Sequence, residues 1–260
     1  PSGLSFHIPA REARRASQND LGRVLGRKAR AADVLRHFYA VGVVFIDRVY
    51  LLSERGTRLQ VDAHVSEDAL RAITSPAGSL LLVAHFGSFE ALRVQGTRRD
   101  EAPISIVLDR QVGRMAMSLL ERLNPALAGR IIDASRRGPE LVLDIKRALD
   151  TGHIVGMMAD RARAEERSLV VRFLGGSVRV PAGPWMIAGM LGVPVVLGFG
   201  VYRGAGHYEC RLQLFEQRIE LPRDKREETL RQCAQRYVAR LEQQGLAAPY
   251  NWFNFPDYWI

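Results

Sequence analysis

The feature that most constrains the fold is an apolar run at residues 80–84, which leads directly into His85 and then Gly87. Five consecutive small or branched apolar residues fit a strand that is buried on both faces, as in the parallel sheet of an α/β protein. Gly87 permits a sharp backbone turn, and Ser88 is a suitable N-cap for a following helix. The run therefore predicts a strand–turn–helix unit with His85 at the carboxyl end of the strand, where open α/β sheets place their ligand crevices.

Apolar runs and helical segments alternate along much of the chain, which predicts a largely parallel sheet with helices packed on it. The predicted strands lie at residues 80–84, 104–108, 130–133, 153–158, 168–173, 177–180, 194–202 and 207–215. The predicted helices of this part lie at residues 66–73, 114–123, 139–149, 181–191 and 222–244. The predicted fold class is therefore α/β, a single domain with a central mixed, largely parallel sheet flanked by helices.

The N-terminal part of the chain is predicted to consist of basic amphipathic helices. Residues 11–36 alternate Arg with Ala and Leu, and the apolar residues of 32–52 follow helical spacing. One interpretation is a helix packed on the core, and the other is a basic amphipathic element that lies against lipid. The two interpretations are compatible if they concern opposite faces of one helix.

The charge of the chain limits the class of partner. Lys and Arg number 37 against 28 acidic residues, for a formal net charge of +9, which suits an anionic membrane surface, nucleic acid or an acidic protein. There is no zinc-finger spacing, RRM-like aromatic motif or basic leucine zipper, so we expect no nucleic-acid partner. The most apolar helical run, residues 38–46, is far shorter than the roughly 20 residues that span a bilayer.

His85 and Glu90 are the first candidates for chemistry. On one regular helix the two side chains would point apart, whereas a strand–turn–helix path can bring them together. A neutral histidine whose other ring nitrogen is held by a carboxylate can take a proton from a hydroxyl group. The structural alternatives are a histidine without a catalytic role and a Glu90 that complements a helix dipole.

Two further predicted strands also end in charged residues, Asp109-Arg110 and Asp160. Arg110 is suited to clamping a phosphate or carboxylate or to stabilising an oxyanion, and Asp160 to holding Arg110 or contacting a substrate. Each of them taken singly is compatible with a surface ion pair. Since all of them follow strands that would end at one edge of the sheet, together with His85 they indicate a site.

These segments, in this order, resemble the lysophospholipid acyltransferase superfamily. A histidine followed by four residues and an acid is its motif, and the stretch from His85 to Glu90 is most similar to the bacterial late (lauroyl/myristoyl) acyltransferases of lipid A biosynthesis. The strand ending in Arg110, the strand ending in Asp160, a Phe-x-Gly turn at 173–175 and the Gly-Pro pair at 183–184 match further segments. The resemblance covers roughly residues 80–200.

The resemblance implies transfer of a fatty acyl group from acyl carrier protein or CoA to a hydroxyl of a lipid or glycolipid acceptor. His85 would be the general base, with Glu90 as the carboxylate that orients it. The residues assigned to substrate binding are Arg110, Asp160, Gly87 and Ser88. We expect no metal and no cofactor beyond the acyl thioester co-substrate. The acidic carrier protein and an anionic membrane surface suit the basic chain.

The expected organisation is one acyltransferase domain over residues 1–260, with a helical, membrane-facing part at 1–60 and an α/β catalytic core at 61–260. We expect the protein at the cytoplasmic face of the inner membrane, either peripheral or anchored by a segment before Pro1. Two rival functions are an acyl thioesterase, in which His85 activates water, and a non-catalytic basic protein that binds lipid or carrier.

The chain also departs from the lipid A enzymes. Its third segment continues as Asp160-Arg161-Ala162-Arg163, and residues 249–255 are more similar to relatives associated with aryl-polyene and pigment lipid pathways. The acceptor therefore need not be lipid A. Six aromatic residues between Tyr250 and Ile260 have two interpretations, packing over the core or forming a membrane-facing lip or acyl-pocket wall.

Overall fold

A computed structural model describes residues 10–53, 59–98, 103–109, 114–136, 138–163, 165–256 and 258–260. The helices are α1 (Ala10–Val24), α2 (Ala31–Leu52), α3 (Glu67–Ile73), α4 (Phe89–Arg98), α5 (Arg114–Leu123), α6 (Pro125–Ala128), α7 (Pro139–Asp150), α8 (Gly183–Leu191) and α9 (Arg226–Ala247). The strands are β1 (Gln60–Val65), β2 (Ser79–Val83), β3 (Ile104–Leu108), β4 (Ile131–Asp133), β5 (Ile154–Met158), β6 (Ser168–Phe173), β7 (Gly176–Pro181), β8 (Val195–Gly204) and β9 (His207–Glu216). A 3-10 turn at Pro249–Asn251 follows α9.

In the described part of the chain, seven strands form one sheet in the order β1-β9-β8-β2-β5-β3-β4. β2 pairs in parallel with β5 and β8, and β3 pairs in parallel with β5 and β4. β9 runs antiparallel to β8, and β1 runs parallel to β9. β6 and β7 form a separate antiparallel hairpin. The predicted α/β class with a mixed, largely parallel sheet is confirmed. β1 was not predicted, although its sequence alternates polar and apolar residues.

The central strand β2 is buried on both faces and separates two apolar cores. Leu80 and Leu82 face the core beneath α7, α8 and α9. Leu81 and Val83 face the opposite core, beneath α2, α3 and α4. Successive residues of a strand point to opposite faces, so a strand between two helical layers must be apolar throughout. This double burial fixes the position of the segment that leads into His85.

The N-terminal helices differ from the sequence prediction in one respect. The basic helix expected at residues 11–36 is interrupted after α1, where Gly26 has a φ of 62°. The following helix packs on the core through Val34, Val44, Leu51 and Leu52, as one of the two interpretations expected, whereas most of its other apolar residues point outward. Among the helices of the described residues, none is both long enough and apolar enough to cross a membrane.

The aromatic C-terminal tail packs over the core, which was the first of its two interpretations. Trp252 and Tyr258 are buried, and their rings lie 4.9 Å and 6.2 Å from the Phe173 ring in edge-on contacts. Trp259 stacks on Phe173 at 5.8 Å, and the guanidinium of Arg23 lies over Trp259 at 4.0 Å. Aromatic contacts of these geometries contribute beyond the area they bury.

A buried histidine joins α2 to this tail. His37 is almost fully buried; its Nε2 lies 2.9 Å from the carbonyl oxygen of Trp252 and its Nδ1 lies 2.9 Å from the Ser17 hydroxyl. A carbonyl oxygen only accepts, so Nε2 carries the hydrogen and Nδ1 accepts from Ser17. Burial lowers the pKa of His37 to about 4, although the hydrogen bond to Trp252 acts in the opposite direction.

The pKa of His37 predicts a pH dependence of stability. An unfolded histidine titrates near pH ~6.5, whereas folded His37 takes its proton only near pH 4. Between these values unfolding takes up a proton, so the free energy of unfolding should fall as the pH falls from ~6.5 to ~4, by about 3 kcal/mol. The measurement is denaturant unfolding over this range, with His37→Gln for comparison. In the variant, the free energy of unfolding should lack this part of its dependence on pH. If the pH dependence of the variant runs parallel to that of the unmutated protein, the lowered pKa assigned to His37 is wrong.

Candidate active site

The parallel register of β2 and β5 brings His85 next to Asp160. The two strands end with Val83 paired to Met158, and the amide of Ala159 donates to the carbonyl oxygen of Val83 at 3.0 Å. His85 follows Val83 by two residues, and Asp160 follows Met158 by the same number. Continuing the register therefore places the two side chains side by side at the carboxyl edge of the sheet, where ligand crevices lie in this fold class.

The imidazole of His85 is held by the carboxylate of Asp160. Nδ1 lies 3.0 Å and 3.1 Å from the two carboxylate oxygens, and the backbone amide of His85 donates to Oδ2 at 3.0 Å. An ionised carboxylate only accepts, so Nδ1 carries the hydrogen and Nε2 carries the lone pair. The side chain of His85 is 33% exposed whereas that of Asp160 is fully buried. This arrangement suits a histidine that accepts a proton from a substrate.

Asp160 is ionised despite its burial. Burial alone raises the pKa of the carboxyl group, but the charge of His85, the hydrogen bonds from its ring and amide, and the charge of Arg161 outweigh this effect and lower it. The hydroxyl of Tyr258 donates to the backbone carbonyl oxygen of Asp160 at 2.6 Å. The carboxylate and its peptide group are thus both fixed by neighbours.

Glu90 occupies a different position from the one predicted. Its carboxylate forms an ion pair with Arg48 of α2 and accepts from the Ser88 hydroxyl at 3.3 Å. The carboxylate at Nδ1 of His85 is that of Asp160, so the structure does not bear out Glu90 as the group that holds this nitrogen. The physical reason is the sheet: β5 supplies an acid in register with His85, whereas Glu90 lies in the first turn of α4, toward α2.

Gly87 and Ser88 hold the turn between β2 and α4 through contacts inside the protein. Gly87 has a φ of 62°, and a Cβ at this position would overlap the carbonyl oxygen of Gly200. The amide of Gly87 donates to the carbonyl oxygen of Asn251 at 2.8 Å, and that of Ser88 to Gly200 at 2.7 Å. Ser88 is buried, and its hydroxyl caps α4 by accepting from Ala91 at 3.2 Å. Both residues therefore have a positioning role in the structure.

The third strand end also reaches this edge of the sheet. Asp109 directly follows β3, is buried, and forms an ion pair of 2.7 Å with Arg163, which follows Asp160 by three residues. The segments after β3 and β5 are thus tied together at this edge of the sheet. Arg110, which was predicted to bind substrate, lies outside the described residues.

Several residues that shape the site were not found by sequence reasoning. The amide of Phe253 donates to the carbonyl oxygen of His85 at 2.7 Å. The hydroxyl of Tyr237 donates to the carbonyl oxygen of Val83 at 3.1 Å. Arg48 reaches Glu90 from α2. These partners lie far away in the chain, and no local pattern marks them. For the residues of the C-terminal tail, the one signal in the sequence was their high density of aromatic residues.

An apolar cavity of about 100 Å³ opens beside these strand ends. Most of its walls come from apolar side chains of β2 to β5, α2 and α4 to α6, and the charged residues Arg48, Glu90 and Arg93 also line it. The lining residues of the strands are Val83, Ile106, Val107, Leu108, Ile131, Gly156, Met157 and Met158. Val83 and Met158 precede His85 and Asp160 by two residues each, so the cavity and the histidine share one edge of the sheet.

A histidine–carboxylate pair beside an apolar cavity is suited to proton transfer on a substrate with an apolar part. A model of the bacterial lipid A biosynthesis acyltransferase family matches residues 5–259. The chain therefore belongs to that family, which confirms the resemblance seen in the sequence. Membership makes it an O-acyltransferase that uses a thioester acyl donor and a lipid acceptor, and indicates association with a membrane. No curated protein matches the sequence.

The close approach of Gly87 to Gly200 gives a first test of the site. In Gly87→Ala a left-handed backbone costs about 1–2 kcal/mol, and the overlap with the carbonyl oxygen of Gly200 adds to it. We expect a loss of at least ~3 kcal/mol in the free energy of unfolding. Gly175→Ala is the control, because Gly175 also has a positive φ but faces open space, so it should lose only about 1–2 kcal/mol. Equal losses in thermal or denaturant unfolding would contradict the role assigned to Gly87.

Proposed function

We propose that this protein transfers a fatty acyl group from a thioester to a hydroxyl of a lipid or glycolipid acceptor, with His85 as the general base and Asp160 as the group that orients it. The observation that carries the proposal is the contact of Nδ1 with a buried, ionised carboxylate. Because this contact places the lone pair on Nε2, the histidine is already in the tautomer that a general base needs.

In the proposed reaction the acceptor hydroxyl attacks the thioester carbonyl directly. Nε2 of His85 takes the hydroxyl proton as the new C–O bond forms, and the carboxylate of Asp160 stabilises the resulting imidazolium. The tetrahedral intermediate then collapses, the C–S bond breaks, and the thiolate leaves with the proton returned by His85. The products are an ester and a free thiol, and no acyl group is attached to the enzyme.

The other predicted site residues receive supporting roles in this proposal. Glu90, bound to Arg48 and Ser88, fixes the first turn of α4 against α2. Gly87 and Ser88 hold the turn that presents His85, since their amides already donate within the protein. Arg110 remains a proposal for binding the acceptor or stabilising the oxyanion, and rests on its position in the sequence directly after Asp109.

We further propose acyl carrier protein as the donor in preference to CoA, and the cytoplasmic face of the inner membrane as the place of the reaction. The support for the carrier is the net charge of +9, because a basic enzyme attracts an acidic protein and accelerates its encounter. The acceptor is drawn from the bilayer. An acceptor other than lipid A is supported by the similarity of residues 249–255 to relatives associated with aryl-polyene and pigment lipid pathways.

The proposed roles of the two carboxylates can be separated by mutation. We expect His85→Ala and Asp160→Asn each to lower kcat by about 10²–10⁴-fold, since they remove the base or the charge that orients it. Glu90→Gln should lower kcat by less than about 10-fold, because it removes the charge that faces Arg48 and Arg93 but leaves the contact of His85 with Asp160 in place. The measurement is release of thiol and formation of acyl ester with lipid acceptors, with acyl carrier protein and CoA donors compared side by side.

The same assay tests the alternatives. If Glu90→Gln proves more damaging than Asp160→Asn in folded proteins, the orienting group is Glu90 and the proposal for Asp160 is wrong. Free fatty acid released at the full rate without any acceptor would identify a thioesterase, in which His85 activates water. A higher kcat/KM with CoA than with carrier protein would contradict the proposed donor.

We propose that the apolar cavity receives the acyl chain, since Val83 and Met158, which lead into the His85–Asp160 pair, line it. Ile106→Phe would add bulk to this cavity and should shift the preference toward shorter chains. The expected change is about 10-fold in the ratio of kcat/KM for a short over a long acyl donor. Val170→Phe is the matched control, because Val170 is an exposed branched residue of β6. An unchanged ratio in Ile106→Phe would contradict this role for the cavity.

A further inference from the structure

Helix α2 exposes its apolar residues to the surroundings. These exposed residues, which we call the α2 stripe, are Leu35, Phe38, Tyr39, Phe45, Ile46, Val49 and Tyr50. Their spacing of three and four residues places them on one face of the helix, along about 22 Å of its length. Between Phe38 and Tyr50 the other exposed residue of the helix is Gly42, so no exposed charge interrupts this part of the stripe. A continuous apolar surface of this kind marks an interaction site.

The inward face of α2 carries polar residues with specific partners. Asp33 accepts from Arg27 at 2.7 Å and 3.0 Å, which holds the pKa of Asp33 well below its usual range. His37 has the two hydrogen bonds described above, and Asp47 accepts from the hydroxyl of Tyr208 at 2.7 Å. Turning the helix to bury the stripe would break all of these bonds and leave buried groups unpaired, which is costly. The outward orientation of the stripe is therefore fixed by the fold.

Basic residues surround the N-terminal end of the stripe. Lys28 and Arg30 precede the helix and are exposed, and Arg36 lies beside Leu35 with its guanidinium over the ring of Tyr250 at 4.5 Å. Positive charges next to an apolar helix face match the two layers of an anionic membrane, its headgroups and its acyl region.

We propose that the α2 stripe docks on an anionic lipid bilayer, with its apolar side chains in the acyl region and the basic residues at its N-terminal end among the headgroups. A bilayer accommodates a long apolar strip without a complementary shape, as interfacial helices show. An acidic carrier protein would need basic residues along the strip, whereas the exposed Lys28, Arg30 and Arg36 flank it at one end. The charge distribution thus favours lipid as the occupant.

Docking through the stripe would place the active site close to the membrane surface. Phe38 of the stripe stacks on Phe255 at 5.2 Å, and two residues earlier in the same tail the amide of Phe253 contacts His85. On the inward face, Arg48 pairs with Glu90. The proposal of a lipid-binding surface rests on the proposed function in one respect, namely that the acceptor is a lipid. Its test measures binding to vesicles and not acyl transfer.

The test is sedimentation of the full chain with vesicles of phosphatidylethanolamine containing about a quarter phosphatidylglycerol. Phe45→Ser/Ile46→Ser removes apolar residues that are 54% and 60% exposed in the stripe. We expect partitioning at least about 20-fold weaker. The matched control is Leu143→Ser/Met190→Ser, which removes apolar residues 51% and 56% exposed on α7 and α8 and should partition like the unmutated protein.

A second pair of variants tests the basic end. Lys28→Gln/Arg36→Gln should lose about fivefold in partitioning per residue on anionic vesicles, and little on vesicles of phosphatidylcholine alone. Equal partitioning of the stripe variant and its control would overturn the proposal. So would a stripe variant that binds vesicles normally but loses binding to acyl carrier protein, or changes from dimer to monomer, because another occupant would then cover the stripe.

The outcome is independent of the catalytic proposal. His85→Ala should bind vesicles as tightly as the unmutated protein, and the stripe variant should still transfer acyl groups to a water-dispersed, short-chain acceptor. Unchanged thermal unfolding of the stripe variant shows that its lost binding is not a loss of fold, because exposed substitutions alter stability little.

Discussion

The contact between His85 and the buried carboxylate of Asp160 is the interaction on which the site depends. It exists because β2 and β5 are parallel neighbours in a fixed register, with Val83 opposite Met158. A carboxylate buried without a partner would be protonated, and here the imidazole and the amide of His85 keep it charged. The same bonds fix the imidazole tautomer. Sheet register, burial and ionisation thus combine into one arrangement of two side chains.

The surroundings of this pair restrict the position of His85 from several directions. The turn after β2 is pressed against β8 at Gly200 and bonded to the C-terminal tail through Asn251 and Phe253. Tyr258 of the same tail donates to the backbone of Asp160. Elements from the middle and the end of the chain therefore meet around one short turn. A general base works best when its position is fixed in advance, and these contacts supply that order.

Helix α2 both binds to the rest of the protein through polar contacts and exposes an apolar surface. Its polar residues face the protein, where they join α1, the tail and β9 through hydrogen bonds. Most of its apolar residues face outward, although Val34, Val44 and Leu51 are buried. Because Arg48 of this helix also binds Glu90 in the first turn of α4, the surface proposed to contact lipid and the turn that presents the histidine belong to one connected structure.

Sequence alone determined the α/β class, the double burial of residues 80–84, the turn at Gly87 and the position of His85 at a strand end, because these follow from local hydrophobic pattern and backbone preference. It also placed Asp160 at a strand end, yet it chose Glu90 as the partner of His85, since proximity in the chain was the available guide. Only the tertiary structure decided which carboxylate meets the imidazole, because strand order and register depend on contacts between segments 75 residues apart. The direction in which α2 turns its apolar face was likewise decided by bonds to distant partners, which helical spacing by itself does not specify.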